Sequence, residues 1–548
     1  MAKTPLLRSL LWAHRQVLGA RHLGMPVKEF AEQAKEVRQG RRDFLKSCAG
    51  VAAIGAGLSL LPTSASAATA SCVKPTVAII GGGMAGLNCA WELKQKGCRA
   101  TIYEASKRTT GRIFTDRTTF ASQGMFSDLG GEYIDTNHTA MRALARRYHL
   151  PLLDYRDDAD LIDTYFDFGG QIRTVQELLT AYEPIAIAID AAYNEFIDPD
   201  GLVMFNNANG GERLDGLSVR AFLAPIAAPA WIKKLIDVGY ETEYGLDGDD
   251  NNCLNMIYLI STDVKKMKRK GVFDFYGVSD ERFHCALGND AIPRAVANDL
   301  PGQIVLEKKL TAVSSRSDGR YTMTFACGAE VTADHVVFAL PFTMLRTVDL
   351  SGLSLPAWKT NAINNNGYGM ITKVITGHTR RVWREQGFIG NSMSDHFFQQ
   401  TTETSRMQPG STGILENYTA GSHALQMAQG TVAQKVTVFH NQVERIFPGL
   451  KATYNGNKVR MAWSDYPFTR AAYSSYRVGQ YTTITGAEGI RVGNLHFCGE
   501  HTSLDFQGWM EGAARSGADA ATEVGADLGL CPATPRSIRR PGCPTANA

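Results

Sequence analysis

A glycine-rich turn between a short apolar run and a helix-like segment constrains this chain more than any other feature. The run Val77 to Ile80 leads into Gly81-x-Gly83-x-x-Gly86, and a helical pattern follows. Gly81 allows a tight turn, Gly83 lets a pyrophosphate approach the backbone, and Gly86 lets the helix pack on the strand. Free N–H groups at the helix start would face the phosphates. The pattern predicts a dinucleotide site; the alternative is an ordinary glycine-rich turn between a strand and a helix.

A second predicted strand supports the dinucleotide interpretation. The segment Arg99 to Tyr103 ends at Glu104, about 20 residues after the glycines, where an acidic side chain can bind a ribose hydroxyl. Met84 and Ala85 lie where the helix begins and are candidate cofactor contacts. Strand, glycines, helix, strand and acid in this order predict an α/β domain with a Rossmann-like fold.

Residues 1–70 resemble an export leader. Arg41-Arg42 precedes an uncharged run from Ser47 to Leu61, and Ala65-Ser66-Ala67 offers a cleavage site. Paired arginines before such a run are typical of twin-arginine export, which predicts a periplasmic or secreted protein. The alternative is an N-terminal membrane anchor, but the run is short and rich in Ala and Gly, so we expect no stable membrane span.

The charge and the cysteines exclude some classes of protein. The leader has ten basic and four acidic residues, so its net charge is +6. Because the net charge of the whole chain is +3, the remaining residues have a net charge of about −3. This balance gives no electrostatic case for nucleic acid binding. The ten cysteines show no C-x-x-C pair and no zinc spacing, so no metal site is predicted. Cys531 and Cys543 flank a Pro/Arg-rich tail, where a disulfide and two free thiols both remain open.

Alternating patterns predict an interleaved chain. The dinucleotide domain is expected at 71–153, 281–350 and 490–528, a substrate and cap domain at 154–280 and 351–489, and a loose tail at 529–548. Residues 154–263 are expected to be mostly helical, with apolar helical spacing in 175–196 and 217–238. The predicted fold class is therefore α/β, with a Rossmann-like domain interleaved with a mixed α+β domain and a helical cap. An active site would lie where the two meet.

Four further segments resemble the flavin-containing amine oxidase family, which includes monoamine, polyamine and L-amino-acid oxidases. They are Glu104 to Arg112, Asp128 to Ile134, Trp463 to Tyr473 and Phe497 to Gly512. One departure is Thr110, which stands where that family usually has a glycine. With the glycine turn, the resemblance extends from about residue 76 to 528.

The resemblance implies FAD as the cofactor. A helix beginning near Met510 would direct its N-terminus at the flavin pyrimidine edge. Arg112 would offset phosphate charge, or else form a surface ion pair. Ala472 stands where some monoamine oxidases have the cysteine bonded to flavin, so noncovalent FAD is expected. The implied cofactor-binding residues are Gly81, Gly83, Met84, Ala85, Gly86, Glu104, Gly111, Arg112, Gly130, Gly131, Glu132, Val313, Gly499, Glu500 and Met510.

The resemblance also implies three catalytic residues. Tyr473 and Trp509 match the two aromatic positions that flank the substrate amine, although both could be core aromatics. Lys373 resembles the lysine that holds a water near the flavin and assists reaction with dioxygen, although it could be a strand lysine that reaches solvent. Because burial disfavours the charged form of lysine, its pKa is expected to be lowered.

The implied reaction is oxidative deamination of an amine or an L-amino acid, with dioxygen as oxidant and an imine, ammonia and hydrogen peroxide as products. An amino-acid substrate needs a cation for its carboxylate. That cation is usually an arginine, and Tyr133 stands where the snake-venom-like enzymes have it. Tyr133 and Arg477 are the candidate substrate-binding residues. Arg477 or Arg470 could bind the carboxylate from another side, although each could be an ordinary surface arginine. Glu132 or Asp128 could instead attract a cationic amine.

Two other classes remain open. One is a flavin dehydrogenase or desaturase that uses an acceptor other than dioxygen. The other is a flavin-binding protein without turnover. A homodimer is compatible with either class and with an oxidase.

Overall fold

The computed structural model describes residues 75–158, 161–199, 201–277 and 279–530. The predicted leader, and the tail segment that carries Cys531 and Cys543, lie outside the described residues. Within the described part of the chain, no helix combines the length and apolar character needed to cross a membrane.

The described chain contains both strands and helices along its whole length. The strands are β1 Val77–Ile80, β2 Thr101–Tyr103, β3 Thr115–Asp116, β4 Ser127–Asp128, β5 Leu152–Asp154, β6 Ile162–Phe168, β7 Gln171–Ile172, β8 Phe283–Cys285, β9 Ile304–Val305, β10 Leu310–Ser315, β11 Tyr321–Phe325, β12 Glu330–Ala333, β13 His335–Phe338, β14 Asp349–Gly352, β15 Tyr368–Gly369, β16 Ile371–His378, β17 Phe388–Ser394, β18 Gln400–Glu403, β19 Gly413–Ala420, β20 Tyr454–Ala462, β21 Tyr473–Ser474 and β22 Leu495–Phe497. The helices are α1 Met84–Gln95, α2 Thr139–Arg147, α3 Val175–Tyr193, α4 Glu212–Asp215, α5 Val219–Leu223, α6 Ala230–Tyr244, α7 Cys253–Ile257, α8 Val264–Lys270, α9 Ala291–Asn298, α10 Phe342–Leu345, α11 Ala357–Asn365, α12 Val382–Glu385, α13 Gly421–Ala428, α14 Val432–Val443, α15 Leu450–Thr453 and α16 Met510–Asp527.

A five-stranded parallel sheet forms the Rossmann-like part, with strand order β22-β13-β1-β2-β9. All residues of β1 and β13 are buried, as expected for apolar strands in the middle of a parallel sheet. The five strands come from the three separate stretches that the sequence assigns to the dinucleotide domain. The predicted fold class is confirmed, while the exact domain boundaries stay a prediction.

The first and last helices pack closely beside this sheet. A Cβ at residue 517 of α16 would lie 2.2 Å from the carbonyl oxygen of Ala85 in α1. Asn88 Nδ2 donates a hydrogen bond of 2.7 Å to the carbonyl oxygen of Ala514. Small residues at this contact let the two backbones approach, and apolar residues of both helices share one core cluster with the sheet.

The second large sheet has seven strands in the order β20-β16-β19-β18-β17-β6-β7. The neighbouring strands β16 and β19 are antiparallel, and Lys373 stands opposite Tyr418. Strand β6 corrects the expectation of a mostly helical segment, since Phe166 pairs with Met393 of β17. The run Ile162 to Phe168 alternates apolar and polar residues over part of its length, which suits a half-buried strand.

The helical cap is only partly as predicted. Helix α3 covers the first predicted segment and begins with a capping box, in which Thr174 and Glu177 satisfy each other's backbone N–H groups. The second predicted helix, 217–238, is wrong as one element, because α5 ends before Pro225 and α6 begins after Pro229. Proline lacks the N–H that a continuous helix requires.

Candidate active site

The glycine turn after β1 is held by its own backbone geometry. Gly81 has a φ of +114°, which favours glycine, and a Cβ at Gly86 would lie 2.0 Å from the Gly81 carbonyl oxygen. At Gly83 the situation differs, because a Cβ there would lie 3.9 Å from its nearest non-neighbouring heavy atom, Gly111 Cα. The protein therefore leaves room beside Gly83 at the start of α1, where a pyrophosphate could bind.

Glu104 connects the second strand to this turn. Its Oε2 accepts a hydrogen bond of 2.7 Å from Gly82 N, and its Oε1 accepts one of 2.8 Å from Ser106 N. A carboxylate has further acceptor capacity on both oxygens, so Glu104 can also accept from a ribose hydroxyl. Met84 and Ala85 are buried at the start of α1 and can offer a ligand their backbone N–H groups.

A second loop closes on the glycine turn at Thr110 and Gly111. Thr110 N donates a hydrogen bond of 2.9 Å to Gly82 O, and a Cβ at Gly111 would lie 3.2 Å from Gly83 Cα. Thr110 has a φ of +80°, where a β-branched residue is an outlier. Its hydroxyl donates a 2.6 Å hydrogen bond to Ile113 O, which helps to hold this conformation.

Arg112 forms a partly buried ion pair with Glu500, a partner that the sequence did not predict. Its Nη1 lies 2.7 Å from Glu500 Oε1 and donates a 2.9 Å hydrogen bond to Ala472 O. Glu500 Oε2 also accepts hydrogen bonds of 2.8 Å from Ser474 Oγ and 2.7 Å from Gly508 N. Burial alone would raise the pKa of Glu500, but Arg112 is the largest of the influences that hold it below its ordinary value. Glu500 is therefore ionised and connects the two predicted cofactor segments.

Gly130 and Gly131 bring the loop after β4 against the start of α16. A Cβ at Gly130 would lie 1.9 Å from Arg112 O, and one at Gly131 would lie 2.9 Å from Met510 Cγ. Trp509 is the N-cap of this 18-residue helix and Met510 its first residue. The partial positive charge of the helix N-terminus is thus available at this loop, where reduced flavin would carry negative charge.

The remaining predicted cofactor residues lie in two other segments. Gly499 has a φ of +146°, and its N–H donates a hydrogen bond of 2.9 Å to Ser516 Oγ in α16. Val313 is buried in β10. Just before this strand, Lys308 N donates a hydrogen bond of 2.8 Å to Glu104 O. Strand β10 therefore begins next to a segment that is bonded to Glu104, the residue predicted to bind the ribose.

Tyr473 lies against Gly508, the residue that precedes Trp509 and helix α16. A Cβ at Gly508 would lie 3.7 Å from Tyr473 Cδ2, and Trp509 follows it in the chain. The Tyr473 hydroxyl lies 3.0 Å from the Tyr418 hydroxyl and donates a 3.2 Å hydrogen bond to Thr242 O. These bonds hold the Tyr473 ring at the start of α16.

Lys373 is buried between two carboxylates, which corrects the expected lowering of its pKa. Its Nζ lies 2.7 Å from Glu132 Oε2 and 3.1 Å from Glu416 Oε2, and it donates a 3.2 Å hydrogen bond to Asp128 O. Burial alone would lower the pKa of Lys373, but Glu132 and then Glu416 outweigh it and raise the pKa. Lys373 is thus a fixed cation.

The two predicted substrate-binding residues occupy different surroundings. The Tyr133 ring packs edge-on against Tyr155 at a centroid distance of 6.2 Å. Arg477 Nη1 lies 3.2 Å from Asp250 Oδ2, and both side chains are about half exposed. The structure thus places the Arg477 guanidinium in a surface ion pair, and its role in substrate binding stays a prediction.

Asp128, considered as an attractor of a cationic amine, is fully engaged by neighbours. Its Oδ2 lies 2.6 Å from His284 Nε2 and accepts a hydrogen bond of 3.2 Å from Asn289 N, while Thr115 Oγ1 donates to its Oδ1. It holds the β3–β4 hairpin to the segment after β8. Glu132 is likewise engaged, by Lys373.

Sequence reasoning missed Glu416, Tyr418 and Glu243. The first two lie two residues apart in β19, on the face that carries Lys373 across the sheet. Their alternation in a strand was readable, but the pairing of β19 with β16 was not. Glu243 lies near the end of α6, and after burial its charge is the largest cause of the raised pKa of Tyr473.

These contacts define a class of protein with a candidate dinucleotide site that joins a Rossmann-like sheet to a second sheet. The family model described as flavin containing amine oxidoreductase matches residues 84–239 and 243–525. The chain belongs to this family. An L-amino-acid oxidase of Siganus canaliculatus is 24% identical over 465 residues, covering 82% of this chain and 85% of the relative. Polyamine oxidase 5 of Oryza sativa subsp. japonica is 24% identical over 479 residues, covering 82% and 87%.

Solved structures show the same fold. Cyclohexylamine oxidase from Brevibacterium oxydans IH-35A superposes with a TM-score of 0.71 at 20% identity, over 83% of this chain and 100% of that one. Wild-type putrescine oxidase bound to putrescine superposes with a TM-score of 0.70 at 18% identity, over 82% and 99%.

The family implies FAD, and the residues present fit it. The room beside Gly83 suits a pyrophosphate, and Glu104 retains acceptor capacity for a ribose hydroxyl. The N-terminus of α1 would supply N–H groups to the negatively charged pyrophosphate. The N-terminus of α16 would supply them to the flavin pyrimidine edge, which becomes negatively charged on reduction. The chain thus offers groups for the pyrophosphate, for a ribose hydroxyl and for the flavin pyrimidine edge of FAD.

Proposed function

We propose that the protein is an FAD-dependent oxidase that oxidatively deaminates an amine or an L-amino acid. The observation that carries the proposal is the Tyr473 ring held beside Gly508 and Trp509, at the N-terminus of α16. Two aromatic side chains there can hold a C–N bond in a fixed orientation, and their faces tolerate partial positive charge. FAD, when bound, supplies the acceptor for the hydride equivalent of the substrate carbon. The imine product hydrolyses in water to a carbonyl compound and ammonia.

Lys373 would serve the second half of the reaction. Electron transfer to dioxygen creates negative charge, and a fixed cation in a buried site stabilises that charge without reorganisation. Glu132 and Glu416 keep Lys373 protonated. This supports dioxygen as the electron acceptor and hydrogen peroxide as product, in preference to a dehydrogenase.

The charges around Tyr473 favour an amine without a carboxylate over an L-amino acid. Glu243 follows Thr242, whose carbonyl oxygen accepts from the Tyr473 hydroxyl, and its charge raises the pKa of Tyr473 after burial. A carboxylate near the aromatic pair attracts a cationic amine and repels an anionic group. Arg477, the predicted carboxylate ligand, is paired with Asp250.

Noncovalent attachment of FAD is part of the proposal. Ala472 is buried and has no side chain that can bond to flavin, and its carbonyl oxygen accepts from Arg112. Denaturing the protein in acid should release all of the flavin to the supernatant. Flavin absorbance that remains with the precipitated chain would contradict noncovalent binding.

We further propose export by the twin-arginine route, on the strength of Arg41-Arg42 and the apolar run that follows. Replacing both residues by lysine should retain the protein in the cytoplasm. Export and processing of this double-lysine variant would contradict the route. A homodimer stays a prediction, which light scattering of the purified protein would decide.

The oxidase proposal is tested by anaerobic reduction. The purified full-length protein is mixed without oxygen with benzylamine, putrescine and L-leucine in turn, and its visible spectrum is followed. Bleaching by an amine, followed by one peroxide per flavin on admission of air, is the expected result. Bleaching by L-leucine alone would assign an L-amino-acid oxidase, and bleaching without peroxide would assign a dehydrogenase. A yellow protein that no compound bleaches would refute the proposal.

A further inference from the structure

Two histidines from adjacent strands lie beside the C-terminal end of α16. They are at the end of the parallel sheet where β1 begins, away from the glycine turn that follows β1. His335 begins β13 beside Val77, the first residue of β1, and His496 lies in the neighbouring β22. His335 Nδ1 lies 3.3 Å from His496 Nε2, and Asp527 Oδ2 lies 3.8 Å from each of these atoms. All three donor atoms fall within 4.8 Å of one another. The two histidines are buried, while Asp527 is exposed.

The separation of the two nitrogens suits a tetrahedral ion. Ligands at Zn–N distances of about 2.0–2.1 Å and a tetrahedral angle are roughly 3.3 Å apart. Imidazole and carboxylate together suit first-row transition ions such as Zn²⁺.

A fourth side chain orients one of these ligands. His496 Nδ1 lies 3.0 Å from Glu523 Oε2, so the carboxylate can accept its N–H and leave the lone pair of Nε2 directed at His335 and Asp527. A carboxylate behind a histidine is the usual support of a metal-binding imidazole. Glu523 and Asp527 both lie in the last turns of α16, whose C-terminus carries partial negative charge that favours a cation.

We propose that His335, His496 and Asp527 bind one Zn²⁺ ion, with water as the fourth ligand. The ion would join β13, β22 and the end of α16. It would lie at the opposite end of the strands from the proposed cofactor site. It competes with Arg491, whose Nη1 contacts both oxygens of Asp527 at 2.9 and 2.7 Å. Asp527 therefore has to leave part of this ion pair and move closer to the imidazoles. Asp527 would then contact the ion directly, and Glu523 would support it through His496.

The test uses the full-length, flavin-loaded protein and needs no turnover, so its outcome is independent of the proposed oxidase function. The protein is freed of metal with a chelator and titrated with zinc chloride against a chromophoric competitor. We expect one Zn²⁺ per chain that survives gel filtration, and a higher midpoint of thermal unfolding. A folded wild-type protein that retains no zinc would overturn the proposal.

Variants locate the ion. His335→Asn and His496→Asn should each abolish retention, while Glu523→Gln should weaken zinc affinity about 10–100-fold. Arg491→Ala should increase the affinity, because it frees Asp527. The matched control is His396→Asn, since His396 also lies beside an aspartate, Asp167, at 3.2 Å.

The control should bind zinc as the wild type does. Unchanged zinc binding by both His335→Asn and His496→Asn would overturn the proposal. If both fail to fold, Glu523→Gln and Arg491→Ala decide, because the site predicts opposite shifts in affinity. Shifts in the same direction, or none, would refute it.

Discussion

Lys373 Nζ lies 2.7 Å from Glu132 Oε2, and this pair connects the loop after β4 to strand β16 of the second sheet. Glu416 adds a second carboxylate at 3.1 Å, so that one buried cation has two buried acidic neighbours. Their attraction outweighs the cost of burying the ammonium group, which is why the pKa of Lys373 is raised. The same contact fixes the position of the charge proposed to assist reaction with dioxygen.

Replacing Lys373 by methionine should slow oxidation of the reduced enzyme by dioxygen more than it slows reduction by substrate. It should also lower the free energy of unfolding by about 3–5 kcal/mol, because it leaves a buried carboxylate unpaired. Stopped-flow absorbance measures the two half-reactions separately, and urea titration measures stability. The control is the double variant with Lys373→Met and Glu132→Gln. Relative to Lys373→Met alone, it should regain part of the stability but not the rate of oxidation by dioxygen. Equal slowing of both half-reactions would contradict the assigned role.

Thr110 should be a strained position. Thr110→Gly and Thr110→Ala both lose the hydroxyl that bonds to Ile113, but only glycine adopts the φ of +80° without cost. We therefore expect the glycine variant to be more stable than the alanine variant by about 1 kcal/mol. Chemical denaturation of the two proteins side by side measures this difference. Equal stabilities would show that the left-handed conformation costs nothing here.

Gly83 and Gly86 should respond differently to alanine. At Gly83 the backbone is extended and a Cβ meets no close protein atom, so Gly83→Ala should fold normally yet bind FAD about tenfold more weakly or worse. At Gly86 a Cβ would lie 2.0 Å from Gly81 O, so Gly86→Ala should perturb the fold itself. Thermal unfolding of the apoproteins and FAD titration separate the two effects. Full flavin affinity in Gly83→Ala would place the pyrophosphate elsewhere.

The Tyr473 ring should matter more than its hydroxyl. Tyr473→Phe loses the hydrogen bonds to Tyr418 and Thr242 but keeps the ring, so kcat/KM should stay within about tenfold of the wild type. Tyr473→Ala removes the wall that orients the substrate and should lower kcat/KM about 100-fold. Steady-state peroxide production with the best substrate of the panel measures both. Similar losses in the two variants would instead assign the role to the hydroxyl.

Asp135 should make stability depend on pH. Burial, and then the nearby Asp280, raise its pKa from 3.8 to about 7. The folded state therefore keeps a proton that the unfolded state releases, and this contribution to stability is lost as the pH rises from about 4 to 7. Asp135→Asn, which stays neutral, should gain up to about 4 kcal/mol relative to the wild type across this range. Urea titrations at several pH values measure the gap, with Asp280→Asn as control, and parallel pH profiles would contradict the raised pKa.

Local patterns predicted much of the dinucleotide part. The turn at Gly81, the acid Glu104 and the strand that leads to it were readable because tight turns need glycine and buried strands need apolar runs. The cap was less predictable. Strand β6 was missed because a short alternating run becomes a strand only when β17 lies beside it to accept its hydrogen bonds.

The sequence by itself determined the family, the cofactor class and the residues that form the glycine turn. These follow from local patterns, because residues close together in the chain set which backbone conformations a turn can adopt. The tertiary structure decided the charges. Lys373 and Glu132 are 241 positions apart, and Arg112 and Glu500 are 388 apart, yet the first contact raises the pKa of Lys373 and the second lowers the pKa of Glu500. A side chain's protonation state follows from the groups that surround it after folding, and no local pattern contains those groups.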